Sequence, residues 1–283
     1  MPKLRTLLLL GRVSNLPTVW SNCLAGWWLG GAGNVAALPF LIAGVTSLYL
    51  GGMFLNDAFD ADFDRQHRKE RPIPAGAIPV QAVWRWGLSL LAGGTALLFL
   101  ADSVSGVFGL LLVGSIISYD AIHKVVTFSP ILMGLCRFWV YVVAAATGAM
   151  GVTGWAIWSG LALAVYVAGL SLLARRESAR GPVSYWPLIP LATPLLLAVL
   201  MNGGGHRSSA LLLSLVLAIW IVRCARSAYW RAAVNLRRTV SGLLAGIVFV
   251  DWLAVAHAPR EMGIAFIALF VIAVILQRFV PAS

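Results

Sequence analysis

Residues 44–65 read GVTSLYLGGMFLNDAFDADFDR, an uncharged run that passes at Asn56 into four aspartates within ten residues. The first half reads as a helix crossing apolar surroundings. The second half sets carboxylates at its mouth, where an unpaired charge is costly beside lipid. Two questions follow: what surrounds the helix, and what the carboxylates hold.

Composition answers the first. Of the 283 residues 60% are hydrophobic and 11% charged, with mean hydropathy +0.88. That leaves too little polar surface for a soluble domain of this length. Apolar runs of helix-spanning length recur near 14–33, 36–56, 81–101, 104–121, 129–150, 155–174, 186–201, 208–226, 239–257 and 261–279. Gly and Pro within them are compatible with a packed bundle, whose neighbours re-satisfy the backbone. The expectation is an all-α, polytopic transmembrane bundle of nine or ten helices, forming one domain over 1–283.

The formal charge of +11 invites a nucleic-acid reading, but its distribution excludes one. When the connections are assigned alternately to two sides, all basic residues except Arg207 and Arg260 collect on the side of the N-terminal segment. The positive-inside rule makes that side cytoplasmic. The chain is therefore expected in a bacterial-type inner membrane, among anionic lipids, with the aspartate-rich loop in the cytoplasm. Connections on the other side are short and bland: GGAGN, ADSVSG, GVTG, NGGGHRSS and HAPREMG. Cys23, Cys136 and Cys224 lack metal-ligand spacing and read as small core residues. His67, His123, His206 and His257 are equally scattered. The apolar run in MPKLRTLLLLGR is too short for a signal peptide, so the first helix is expected to be retained.

The aspartates have a readable geometry. If the helix continues past the membrane surface, Asn56, Asp60 and Asp64 lie at i, i+4 and i+8 and share one face, while Asp57 and Asp62 point elsewhere. Carboxylates facing one way repel unless a cation joins them. Mg²⁺ takes few protein oxygens and completes its shell with water and substrate phosphates. Arg65, Arg68, Lys69 and Arg71 follow at once, supplying guanidinium and ammonium groups for a polyphosphate. RPIPAG then closes the segment through Pro72, Pro74 and Gly76. The plainer alternative is that these charges solvate a loop and fix topology.

Three patterns together resemble the UbiA superfamily of intramembrane prenyltransferases. They are Asn56-Asp57-x-x-Asp60-x-x-x-Asp64, the trailing Arg71-Pro72-Ile73-Pro74-x-Gly76, and Tyr119-x-x-x-x-Lys124 at the end of a later helix. Arg12 and Asn15 at the mouth of the first span, and Gly134-x-x-Arg137, are similar too. The resemblance implies a helical bundle, typically of nine spans, around a cavity open to lipid. It implies transfer of an isoprenyl group from its diphosphate to an aromatic or other small lipophilic acceptor. Asn56, Asp60 and Asp64 would then hold Mg²⁺, and Arg12, Asn15, Arg65, Arg71, Lys124 and Arg137 would face the diphosphate. Tyr119 would offer a π-face to the allylic cation. Asp120 would take the acceptor's proton or merely cap a helix. Arg137, eight residues into an apolar run, reads either as functional or as snorkelling to headgroups, and Lys124 reads equally as a topology lysine.

The second half departs from the family. Where a second aspartate motif belongs, residues 174–182 read ARRESARGP, with Glu177 as the one carboxylate among Arg175, Arg176 and Arg180. Arg176 and Glu177 are the expected substrate-side residues there. With the wording NLPTVWSNCLAGW and YLGGMFLNDAFDADFDRQHR, this departure is similar to the divergent members termed EboC-like, associated with bacterial secondary-metabolite clusters. Two functions stay open: an Mg²⁺-dependent prenyltransferase, or a catalytically impaired relative that binds or carries a prenyl lipid. Both imply an apolar cavity ending between Asp60, Arg137 and Glu177.

Overall fold

The computed structural model describes residues 4–176, 185–201, 207–230 and 235–282. Glu177 and the Arg176 side chain lie outside what is described, so the arginine-rich second motif is seen only where α8 ends. Among the described residues the chain is helical throughout, without a strand: α1 Leu4–Leu10, a 3₁₀ turn Val13–Asn15, α2 Leu16–Leu29, a 3₁₀ turn Val35–Ala37, α3 Leu38–Phe59, α4 Ala61–His67, α5 Val80–Ala101, α6 Ser103–Ile122 and α7 Ser129–Ala146. There follow α8 Gly154–Arg176, α9 Leu188–Leu191, α10 Thr193–Met201, α11 Arg207–Tyr229, α12 Leu236–Ala254 and α13 Arg260–Leu276.

Local chemistry sets several of these boundaries. Pro17, Pro39 and Pro130 each sit in a first helical turn, where a missing N–H costs nothing. The side chains of Asp102 and Asn235 accept from Ser105 N at 2.9 Å and from Arg238 N at 2.9 Å, capping α6 and α12.

Each of the ten apolar runs contains helix, but length and composition of the described residues do not confirm the expected count of nine or ten spans. Among the described residues six helices are long and apolar enough to cross a membrane: Val35–Phe59, Val80–Ala101, Ser103–Ile122, Ser129–Ala146, Gly154–Arg175 and Arg207–Tyr229. The physical reasons are visible. At about 1.5 Å per residue the 14 residues of α2 fall short of a hydrocarbon core about 30 Å thick. The run at 186–201 breaks into α9 and α10, with Pro190 in one and Pro194 in the first turn of the other. α12 carries Arg237, Arg238 and Asp251.

Among the described residues the helices pack around three apolar clusters: a small one of Leu10, Phe54, Ala58, Ala61, Ile73, Ile78 and Val83 beside the aspartate segment, and two larger ones that share α2 and α7. One gathers Val19, Cys23, Leu48, Leu91, Leu112 and Val143 from α2, α3, α5, α6 and α7. The other gathers Ala25, Tyr141, Leu163, Leu217, Ile247 and Phe266, adding α8 and α11 to α13. Glycines bring α3 and α5 into backbone contact. A Cβ at Gly51 would stand 2.9 Å from the Gly87 carbonyl oxygen, and one at Gly94 2.8 Å from that of Gly44. Such small-residue contacts are how helices pack closely in lipid. Outward faces are apolar, with Leu88 and Leu100 on α5, Leu110 and Leu111 on α6, and Leu211, Leu212 and Leu215 on α11 all exposed. An exposed apolar girdle of that extent belongs against hydrocarbon, not water.

Candidate functional site

The aspartate segment sits at the end of the bundle formed by the start of α2, the end of α3 and the junction of α6 with α7. α3 does not run on unbroken. It stops at Phe59, and α4 begins at Ala61 after Asp60. The backbone nevertheless keeps its four-residue spacing, with Asp60 N bonded to Asn56 O at 3.0 Å and Asp64 N to Asp60 O at 2.9 Å. Asn56, Asp60 and Asp64 therefore do share one inward face, 4%, 6% and 2% exposed.

Basic side chains reach these carboxylates from three elements. Lys124 Nζ lies 2.7 Å from Asp60 Oδ1 and His123 Nε2 3.4 Å from the same oxygen. Lys124 also stands 3.8 Å above the centre of the Phe63 ring. Arg71 reaches Asp57 Oδ1 at 2.8 Å and Asp64 Oδ2 at 3.4 Å. Arg12 approaches Asn56 Oδ1 at 3.3 Å and Asp57 Oδ1 at 3.4 Å. It does so from a left-handed backbone (φ 41°), a strained conformation for a non-glycine residue, and Tyr49 OH bonds the Arg12 carbonyl at 3.2 Å. Arg71 is aimed by the turn after it. Gly76 sits at φ 73°, where a side chain would be strained, and Gly76 N and Ala77 N bond back to Ile73 O and Pro72 O.

The surroundings move the carboxyl groups apart. Burial alone would raise the Asp60 pKa, but hydrogen bonds from His123 and Lys124 outweigh it and hold that group below the ordinary range. Burial raises Asp64, and Arg71 only partly offsets this. Burial would lower Arg12, yet Asp57 with Tyr49, Tyr119 and Asp60 keeps its pKa raised.

The sequence-derived residues divide in space. Asn56, Asp60, Asp64, Arg12, Arg71 and Lys124 meet in one cluster. Tyr119 sits beside it, its ring stacked on His123 at 5.0 Å. Arg65 turns outward and pairs with exposed Asp62. Asn15 is buried and donates to Ala282 O at 2.9 Å, anchoring the segment after α13. Arg137 belongs to a second network inside the bundle, donating to Asn22 Oδ1 at 2.6 Å and Thr18 Oγ1 at 3.1 Å. Asp251 completes that network. It is fully buried and accepts from Asn22 Nδ2, Ser21 Oγ and Tyr141 OH, the last at 2.6 Å. A cavity of about 350 Å³ opens at the opposite end of the bundle, and none of the described motif residues line it.

Asp57, His123, Asn22 and Asp251 were missed from sequence. A helical wheel drawn for one ligand face hid Asp57, whose partners come from a distant turn. Asp251 was visible as a lone carboxylate in an apolar run, a signal that alone marks an intramembrane residue for attention.

For a divalent cation, the donor chemistry fits a hard ion: oxygens from Asn56, Asp60 and Asp64, with Asp64 Oδ1 and Asp120 Oδ2 buried and without hydrogen-bond partners. Asp120 Oδ1 is tied to Asn56 Nδ2 at 3.0 Å. Among the described residues no three His, Cys, Asp or Glu side chains are gathered around one point. Arg12, Arg71 and Lys124 neutralise the carboxylates in this arrangement, with His123 Nε2 3.4 Å from Asp60 Oδ1.

The pattern that defines the UbiA prenyltransferase family matches residues 15–181, more than half of the chain. The chain belongs to the UbiA prenyltransferase family. Digeranylgeranylglyceryl phosphate synthase of Ignicoccus hospitalis is 35% identical over 109 residues, covering 38% of this chain and 36% of that protein. The same-named protein of Methanosarcina mazei is 36% identical over 75 residues, covering 25% and 26%. The matched segments thus span about a third or less of these curated relatives. A solved structure concerning digeranylgeranylglyceryl phosphate synthase in membranes shares the fold with a TM-score of 0.62 at 17% identity, over 96% of this chain and 99% of that one. The apo structure of a UbiA homologue from Aeropyrum pernix K1 does so at 0.52 and 18%, over 95% and 96%. With the apolar helices, family membership makes this UbiA-family chain a multi-pass integral membrane protein.

Proposed function

We propose that the protein transfers an isoprenyl group from a polyprenyl diphosphate to an aromatic or other small lipophilic acceptor within the membrane, in an Mg²⁺-dependent reaction. The observation that carries this reading is the cluster itself. Carboxylates of Asp57, Asp60 and Asp64 are buried at a helix end and reached by basic groups from three separate elements, an arrangement suited to exchanging carboxylate partners for phosphate oxygens.

Asn56, Asp60 and Asp64 would hold the Mg²⁺, which supplies positive charge to the leaving diphosphate. Arg12, Arg71 and Lys124 turn from carboxylate to phosphate oxygens and stabilise charge that grows as the allylic C–O bond breaks. The bonding pair leaves with the diphosphate. Tyr119 faces the allylic cation, the acceptor adds to its first carbon, and the unpaired oxygen of Asp120 takes the displaced proton. Salt links that hold the carboxylates in advance favour this exchange, since the cluster is organised before substrate arrives.

The test is diphosphate release by detergent-purified protein given Mg²⁺, a lipophilic acceptor and farnesyl or geranylgeranyl diphosphate. Asp60→Ala and Asp64→Ala are each expected to lower turnover by about 100-fold or more. Tight diphosphate binding with no turnover on any acceptor would instead establish the carrier function.

A further inference from the structure

The cavity of about 350 Å³ lies far from the aspartate cluster, between the end of α2, the start of α8, α10 and the end of α12. Its size falls in the range of small-molecule sites, about 300–1,000 Å³. Trp28, Leu29, Trp155, Ala162, Leu197 and Leu253 form its walls, and among the described residues no Lys, Arg, Asp or Glu lines it. A charged headgroup would find no counter-charge there, so the diphosphate donor does not suit it. At its rim Trp28 Nε1 donates to His257 Nε2 at 3.3 Å, tying α2 to the segment after α12.

One polar side chain in the wall is unexplained. Ser159 is 6% exposed and lines the cavity. Its hydroxyl is not one of the side-chain oxygens sealed in the protein without a partner, and it lines the open cavity. A hydroxyl in that position can both donate to and accept from a guest. An apolar cavity offers water few partners, whereas a lipophile with one oxygen satisfies both the wall and the hydroxyl.

We propose that this cavity is a second ligand site, taking a neutral lipophile with one hydrogen-bonding oxygen seated on Ser159 Oγ. The chain of the guest packs between Trp28 and Trp155. Isoprenoid alcohols and neutral glycerolipids share this chemistry. The site stands independently of catalysis at the aspartates.

A diazirine-bearing farnesol tests this with the full-length protein in detergent micelles. Cross-links are expected on peptides carrying Trp155–Ala162 or Pro194–Ala198. Ala162→Phe fills the cavity and should lower labelling about tenfold, with its melting temperature measured beside it to report folding. Ser159→Ala leaves the volume intact and should weaken competition by unlabelled farnesol about three- to tenfold. Asp60→Ala should leave the labelling unchanged, which separates this site from the proposed catalytic one. Competition by farnesol or by monoolein identifies the source of the guest, and either supports the site. The proposal is overturned if labelling is confined to the aspartate end, if both cavity variants label as the parent does, or if farnesyl diphosphate displaces the probe as well as farnesol.

Discussion

Asp60 and Asp64 are four residues apart in one motif, and their surroundings push them in opposite directions. Asp60, held low by His123 and Lys124 against its burial, contributes stability that is present above the ordinary carboxylate pKa and lost as pH falls through its depressed value. Asp64, raised by burial, does the reverse. Its contribution is present at low pH and lost as pH rises from the ordinary carboxylate range through the raised value. Asp64→Asn removes that loss. In metal-free detergent solution its melting temperature relative to the parent should climb as pH rises through that window, and a difference constant with pH would count against the assignment. The motif's inward face was legible because i, i+4, i+8 is a local property that survives the break at Asp60. The role of Asp57 was not, because Arg71 reaches it from fourteen residues further on, beyond the end of α4. Likewise Asn22 and Asp251 are 229 positions apart, and no local period records such a pair.

Helices here are held by two unlike devices. On α3 and α5, Gly44 with Gly51 and Gly87 with Gly94 bring two backbones together where no side chain fits. Gly51→Val should destabilise the protein by about 1–3 kcal/mol in denaturant titrations. Gly93→Ala, whose added methyl meets nothing within 4 Å, should be neutral or slightly stabilising, consistent with a helix-propensity gain of up to about 1 kcal/mol. If the two variants behave alike, close approach is not what matters at this crossing. Between α2, α7 and α12 the device is polar. Asp251→Ala would leave Asn22 Nδ2 and Tyr141 OH without their acceptor, Ser21 with only the Thr18 carbonyl, and Arg137 without its nearby opposite charge. Its expected cost is about 3–5 kcal/mol, and a double-mutant cycle with Arg137 should show coupling well above about 0.5 kcal/mol. Apolar length marked where helices fall but not which are long enough to span, since α2 is short and the run at 186–201 breaks at its prolines.

For the whole molecule the distribution of charge predicts an orientation that labelling can check. Basic residues gather at the end that carries the acidic cluster, so that end is expected to face the cytoplasm. Cysteine placed at Asp62, whose side chain is 90% exposed, should react with an impermeant maleimide in inverted vesicles and not in intact cells. Cysteine placed at exposed Arg207 should show the opposite pattern, and the same sidedness for both would refute the alternation. Family and fold were legible because the aspartate motif and RPIPAG are contiguous in sequence. The far cavity was not, because four separate elements build it and none carries a local mark.

The second network has one more consequence, for water. Asp251 has roughly four lone-pair positions, and Ser21, Tyr141 and two contacts from Asn22 meet them. A carboxylate so enclosed keeps no lone pair free for a bound water. The network between α2, α7 and α12 is thus satisfied from within the bundle, apart from the acidic cluster at one face.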